Sequence, residues 1–168
     1  ITEGLDNLEK RIEEYSQIGA TFTKWRAVIN IGEQLPTDYC LELNAHALAR
    51  YSRIVQKYNM VPIVEPEVIM DGSHDIEKCL KVTNKTLRTV FKQLDFQGVY
   101  IGGILLKPNM VISGIDCKVQ ASIKEVSEMT INCLEDSIPS DVPGVVFLSG
   151  GQNYKIATKK LNQNNKVV

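Results

Sequence analysis

Apolar positions along this chain switch between two spacings, and the switches mark out alternating helices and strands. Leu5, Leu8, Ile12 and Tyr15 recur at helical spacing over Glu3–Ile18, and Gly19 is placed to stop the helix. Thr21–Ile29 then turns to β-branched and aromatic types, with Phe22, Lys24 and Arg26 on one face of a strand. Pro36-Thr37-Asp38 opens a helix through Leu41, Ala45, Leu48, Ser52 and Val55 that closes near Asn59. Met60–Glu67 is a second strand, on which Val61, Ile63, Glu65 and Glu67 point the same way. After an Asp71-Gly72-Ser73 turn, Ile76, Leu80, Thr83, Leu87 and Val90 or Phe91 mark a helix ending before Gly98.

A third strand is expected over Val99–Lys107, with Gly103, Leu105 and Lys107 on one side. A loop from Pro108 to Ala121 leads to Ser122-x-x-Glu125, a capping box for a helix through Val126, Met129, Cys133 and Ser137. Pro143-Gly144 introduces a fourth strand, Val145–Leu148, which breaks at Ser149-Gly150-Gly151; a polar helix over Tyr154–Asn165 follows. Alternation of this kind implies a parallel sheet with helical crossovers. Lys24, Glu65, Lys107 and Ser149 follow one another at intervals of 41, 42 and 42 positions, a repeated architecture without sequence repetition. Four strand ends each presenting a polar group place those groups on one rim, the layout of a βα-barrel active site. A doubly wound open sheet is the competing fold, but no strand is followed by G-x-G-x-x-G.

Composition narrows the function. The 168 residues (18.8 kDa) are 43% hydrophobic and 23% charged, an ordinary globular balance. Nineteen basic against twenty acidic residues leave no positive excess for nucleic acid or an anionic membrane surface. No apolar run approaches the ~20 residues that span a bilayer, and no N-terminal basic-then-apolar leader is visible. Cys40, Cys79, Cys117 and Cys133 lack a C-x-x-C pair and read as reduced thiols of a cytoplasmic protein. The chain opens without Met and stops where another strand is expected, so it reads as a single domain cut from something longer.

Lys107 ends an apolar strand and is followed by Pro108, the place for a Schiff-base nucleophile. Apolar surroundings and a second cation, here Lys24, favour the free amine. The plainer reading is a lysine that reaches solvent. Glu65 and Glu67 flank Pro66 on one face and can act as an acid and a base or raise one another's pKa. A Schiff base needs such a group to deliver the proton that dehydrates the carbinolamine. For Glu67, a salt bridge to Arg26 or Lys24 competes with catalysis. No adjacent His or Asp completes a metal set, since His74 falls in a turn and His46 on an amphipathic helix. Ser149-Gly150-Gly151 offers backbone N–H groups just before a helix, an anion site suited to phosphate.

Leu105-Leu106-Lys107-Pro108-Asn109-Met110-Val111, Val61-Pro62-Ile63-Val64-Glu65-Pro66-Glu67, Lys24-Trp25-Arg26 and Leu148-Ser149-Gly150-Gly151-Gln152 together resemble class I fructose-bisphosphate aldolases. Thr2-Glu3-Gly4-Leu5-Asp6 and Ala45-His46-Ala47-Leu48-Ala49-Arg50-Tyr51 resemble the same family, in the same order. The resemblance implies a (β/α)₈ barrel, with this chain holding about four βα units, the fourth to seventh strands. It implies a metal-independent, cofactor-free glycolytic lyase that cleaves fructose 1,6-bisphosphate into dihydroxyacetone phosphate and glyceraldehyde 3-phosphate. Lys107 matches the imine-forming lysine, Glu65 the general acid/base, Glu67 a tuning carboxylate and Lys24 the lysine that activates the nucleophile. Arg26 matches a residue near the second phosphate, and Ser149 and Gly150 part of the cradle for the first. Ile104 departs from the family's small hydroxyl residue but faces away from Lys107. The first-strand aspartate of cleavage, the eighth-strand Gly-Arg and the C-terminal tail have no counterpart, so the isolated segment is expected to be inactive or nearly so. A homotetramer and a cytoskeletal or adhesin-tail partner are further implications. The alternatives are a scaffold role and a Schiff-base aldolase for another phosphorylated sugar.

Overall fold

The helices and strands alternate as the apolar spacing requires. In the computed structural model, which describes residues 1–167, the order is α1 (Leu8–Gln17), β1 (Phe22–Ile29), α2 (Asp38–Lys57), β2 (Val61–Val68) and α3 (Ile76–Phe96). A 3₁₀ turn at Ile101–Gly103, β3 (Leu105–Leu106), α4 (Ile123–Ser137) and α5 (Tyr154–Val167) follow. The strands form one parallel sheet in the order β1-β2-β3, with α2 and α3 as the connections. That is the α/β architecture of a barrel built from successive βα units.

Strand parity decides what each side chain does. On β1, Trp25, Ala27 and Ile29 are buried while Phe22, Lys24 and Arg26 are exposed on the other face. The buried row packs on α2, where the Tyr51 ring lies 5.4 Å from that of Trp25 and the Tyr51 hydroxyl bonds Thr23 Oγ1 at 2.5 Å. Leu48, Val55, Val64, Leu87, Leu94, Ile104 and Leu106 complete a core between the sheet and helices α2 and α3. Fully burying each such side chain contributes about 1.5–3 kcal/mol.

Two expectations need correction. Helix α1 starts at Leu8 rather than Glu3. Gly4 (φ 133°) and Asn7 (φ 53°) leave the helical region, and the missing Cβ at Gly4 lets the Trp25 ring close over it. The third and fourth strands are also shorter than Val99–Lys107 and Val145–Leu148. Only Leu105–Leu106 is extended and laddered, and the fourth segment makes a single parallel bridge, Leu106 to Val145.

Two features explain the shortening. The register sets Gly103 opposite Val61, the first residue of β2, so residues 99–102 have no partner there and 101–103 turn as a 3₁₀ helix. Prolines interrupt the ladder elsewhere. The register Ile63↔Leu105, Val64↔Leu106 turns the backbone N–H positions of residues 62, 64, 66 and 68 towards β3. Residues 62 and 66 are prolines and have nothing to donate. On the other edge, Leu106 N donates to Gly144 O (3.1 Å), Val146 N to Leu106 O (2.9 Å) and Leu148 N to Pro108 O (3.3 Å). The bond that Pro108 would return in that ladder has no donor. Chain direction and neighbour order survive while the regular ladder is interrupted.

At α4 the expected capping box is present: Glu125 N donates to Ser122 Oγ (3.2 Å) and Ser122 N to Glu125 Oε2 (3.3 Å). Helix α5 is the polar one foreseen, with Tyr154, Ile156 and Leu161 left exposed.

Candidate active site

The ladder register brings the polar strand ends into one row. Arg26 pairs with Glu65, and the β2–β3 register carried one step on sets Glu65 opposite Lys107. Lys107 N donates to Val64 O at 2.8 Å, as that alignment requires. The charged groups then reach obliquely, one row towards the strand C-termini. Lys24, level with Ile63, contacts Glu65; Arg26, level with Glu65, bonds Glu67.

Glu65 is the hub. It is 3% exposed, its Oε1 lies 3.0 Å from Lys107 Nζ, and its Oε2 lies 3.1 Å from Lys24 Nζ. The Oε2 contact is at ion-pair distance but off the hydrogen-bond axis, leaving that oxygen without an aligned donor. A buried carboxylate is therefore held by charge from both sides, with one acceptor position available. Glu67 is likewise buried, and its Oε2 accepts from Arg26 Nε. That bond raises the Arg26 pKa above its ordinary value, against the opposing effect of burial.

Ser149-Gly150-Gly151 forms the opposite wall. Gly150 and Gly151 take φ of 63° and 85°, left-handed values that admit glycine at little cost. A Cβ on Gly150 would come within 3.1 Å of Leu148 Cδ1, and its position lies 3.9 Å from Glu67 Oε1. The turn leads into the start of α5, where Asn153 Oδ1 accepts from Lys155 N at 3.0 Å. Arg26, Glu65, Glu67, Lys107 and this turn enclose a cleft of about 710 Å³, floored by Met70, Phe147 and Leu148. The combination of two basic side chains, two carboxylates and a glycine turn at a helix start suits an anionic polar molecule.

Seven of the eight residues singled out from the sequence line this cleft: Glu65, Glu67, Lys107, Arg26, Ser149, Gly150 and Gly151. Lys24 stands behind Glu65 and meets the cleft through that carboxylate. Sequence reasoning missed Met70 and Asp71, which follow β2 and line the cleft: Asp71 read as part of a turn, and Met70 fell between the expected strand and that turn. It also missed Asn109, a buried polar residue two positions beyond Lys107. His46 lies on α2 near Gln97, away from the cleft. His74 is tucked under the loops with both ring nitrogens buried and unpartnered, and burial lowers its pKa.

A second cleft of about 690 Å³ lies at the other end of the strands, between Arg53, Lys57, Asn59, Val61 and Tyr100. Its cations are already engaged: Lys57 with Glu9, and Arg53 Nη1 with Gly98 O at 2.7 Å. It presents no amine beside a buried acid. Among the described residues no three His, Cys, Asp or Glu side chains are grouped to hold a metal, and no helix is long and apolar enough to cross a membrane. All four cysteines are free thiols.

Fold and site together define a βα-barrel protein with its polar centre at the C-terminal ends of parallel strands. The chain belongs to the class I fructose-bisphosphate aldolase family, whose model (Fructose-bisphosphate aldolase class-I) matches residues 1–168. It is 56% identical over 163 residues to a probable fructose-bisphosphate aldolase class 1 of Xanthomonas axonopodis pv. citri, covering 97% of this chain and 49% of that protein. Human fructose-bisphosphate aldolase B is 47% identical over 160 residues, 95% of this chain and 44% of the human one. A Plasmodium falciparum fructose-bisphosphate aldolase, solved in complex with TRAP and a small-molecule inhibitor, superposes with a TM-score of 0.97 at 45% identity, over 99% of this chain and 48% of that one. The chain thus spans about half the length of the curated relatives it matches.

Proposed function

We propose that this chain carries the imine-forming centre of a lyase that reversibly cleaves fructose 1,6-bisphosphate. The observation that carries the reading is the Lys107–Glu65–Lys24 cluster, one buried carboxylate between two amines at 3.0 and 3.1 Å. Lys107 passes its proton to Glu65, which leaves a free amine and a carboxyl holding the proton needed later, with Lys24 still beside it. Lys107 Nζ attacks the substrate ketone carbon to give a carbinolamine. Glu65 delivers a proton to the departing hydroxyl, water leaves, and an iminium forms. When the C3–C4 bond breaks, its electron pair passes into the iminium to give an enamine, so the imine serves as the electron sink without a metal.

In this reading the glycine turn and the start of α5 hold the phosphate at the ketone end. Arg26 serves the other phosphate, with Glu67 fixing its guanidinium through the Nε bond. Residues 1–168 act as one domain unit of the barrel. Cleavage also needs a base at the departing hydroxyl, a role that the resemblance gives to a strand outside these residues. Imine formation is therefore the step that tests this chain, and steady-state cleavage by these 168 residues alone is expected to be slight. Family likeness further supports a homotetramer in the cytoplasm, where a 49% identical Arabidopsis relative is named cytosolic. The Plasmodium relative's complex with TRAP supports a protein-docking role beside the enzymatic one.

The test is borohydride reduction in the presence of dihydroxyacetone phosphate, followed by digestion and mass mapping. A reduced adduct on Lys107 is expected. No adduct, or one on a different lysine, overturns the proposal.

A further inference from the structure

We infer that Asn109 is a positioning residue that sets Lys107 against Glu65, by supplying through its side chain a sheet bond that the backbone leaves unmade. The inference rests on the reading of Lys107 as the imine-forming residue. Parallel pairing carried on from Ile63↔Leu105 aligns Glu65 with Lys107 and Glu67 with Asn109. In that ladder the N–H of residue 66 would donate to Lys107 O, and the N–H of residue 68 to Asn109 O. Residue 66 is proline, so the first of these cannot form, and Pro108 stiffens the chain without offering a donor of its own. The strand that carries Lys107 is two residues long, and its last backbone tie to β2 is Lys107 N to Val64 O. Beyond that bond the backbone ties the chain to the Val145 segment, through Leu148 N to Pro108 O, but makes no further bond to β2.

Asn109 closes the gap. Its Oδ1 accepts from Val68 N at 2.9 Å, replacing the carbonyl that ladder geometry would have used. Its Nδ2 donates to Thr83 Oγ1 on α3 (3.1 Å) and to Met110 O (3.1 Å). The side chain is 4% exposed, so these bonds are shielded from competing water. One amide therefore locks the chain just beyond Lys107 to the end of β2, which bears Glu65 and Glu67, and to the helix between them. A shift of about 1 Å at a reacting group can cost up to about 10²-fold in rate, so a clamp at this point bears directly on imine formation. Asn109 and Thr83 stand outside the lining of the cleft, so they act through the placement of Lys107.

The experiment measures the rate of borohydride-trapped adduct formation with dihydroxyacetone phosphate across pH, alongside binding of inorganic phosphate. Asn109→Ala is expected to slow trapping by roughly tenfold or more and to move its pH midpoint, with phosphate affinity within about twofold of the parent. Thr83→Val, which removes one acceptor of the amide and touches nothing in the cleft, is expected to slow trapping a few-fold. It should add nothing further in the Asn109→Ala background. Should Asn109→Ala fail to fold, Thr83→Val decides alone through the same rate and pH midpoint. Folded variants that trap at the parent rate with the parent pH profile overturn the inference, as do strictly additive effects of the two substitutions. Failure of the parent itself to trap on Lys107 overturns instead the proposed function, so the two outcomes are separable.

Discussion

Replacing Glu65 by Gln separates what the buried carboxylate does for stability from what it does for chemistry. Each Nζ–Oε pair, at 3.0 and 3.1 Å, has a gross attraction of about 5 kcal/mol at an effective dielectric near 20. Lys107 and Lys24 are 31% and 44% exposed along their side chains, so water screens both pairs to a net of about 1 kcal/mol each. Glutamine keeps an acceptor for one ammonium and removes the cost of holding a charge at 3% exposure. The net loss is therefore at most about 2 kcal/mol, or a melting point lower by roughly 4–8 °C for a chain of this size. Proton delivery to the departing hydroxyl is a different quantity: losing a general acid slows such a step about 10²–10⁴-fold. Trapping with dihydroxyacetone phosphate, normalised to the folded fraction by circular dichroism, should thus fall at least about a hundredfold. Lys24→Met, which removes only the Oε2 contact, should leave Glu65 competent and cost less. A Glu65→Gln protein that stays folded and traps at the parent rate would refute the assignment of the proton donor.

Three further outcomes follow from local geometry. Gly150→Ala places a Cβ at φ 63° and 3.1 Å from Leu148 Cδ1, so denaturant titration should show a loss of about 1–2 kcal/mol; phosphate affinity should fall with it. Ser122→Ala removes the cap of α4 and should cost about 1 kcal/mol by the same measurement, with trapping on Lys107 unchanged. Burial pushes the Cys133 thiol up to about 12 from 9.0. The unfolded chain then ionises first as pH rises, so the thiol's contribution is intact below about pH 9 and is lost progressively towards pH 12. By pH 10 that amounts to about 1.4 kcal/mol. Cys133→Ala should flatten the decline in stability between pH 8 and 10, and an unchanged slope would contradict it.

Strand parity is what made the site legible before any coordinates. Lys24 and Arg26, Glu65 and Glu67, and Lys107 are each two-residue neighbours or lone polar residues at the end of an apolar run. A period of two fixes which face they share, whatever the pairing. The interval of 41–42 residues then placed them on one rim, because each βα unit returns the chain to the same end of the sheet. Pairing offsets are not written in parity. The oblique reach of Lys24 to Glu65, and of Arg26 to Glu67, depends on the stagger between β1 and β2, which only the assembled sheet defines. Hence Lys24 lies behind the carboxylate rather than lining the cleft.

The lengths of β3 and of the Val145 segment were misjudged for a related reason. Apolar content reports burial, and it says nothing about whether a neighbouring strand has N–H groups to give. Pro62, Pro66 and Pro108 were in plain view, yet each matters only through its partner across the ladder. The same absence gives Asn109 its place. Pro66 removes the backbone bond that would follow Lys107 N to Val64 O, so beyond that bond the Asn109 side chain is what ties the chain back to β2. An ion pair with a lysine 31% exposed is too pliant to fix the Lys107–Glu65 distance to a few tenths of an ångström. The two bonds that the buried Asn109 amide makes to Val68 and Thr83 can, and they do so from outside the cleft, where the clamp leaves room for substrate.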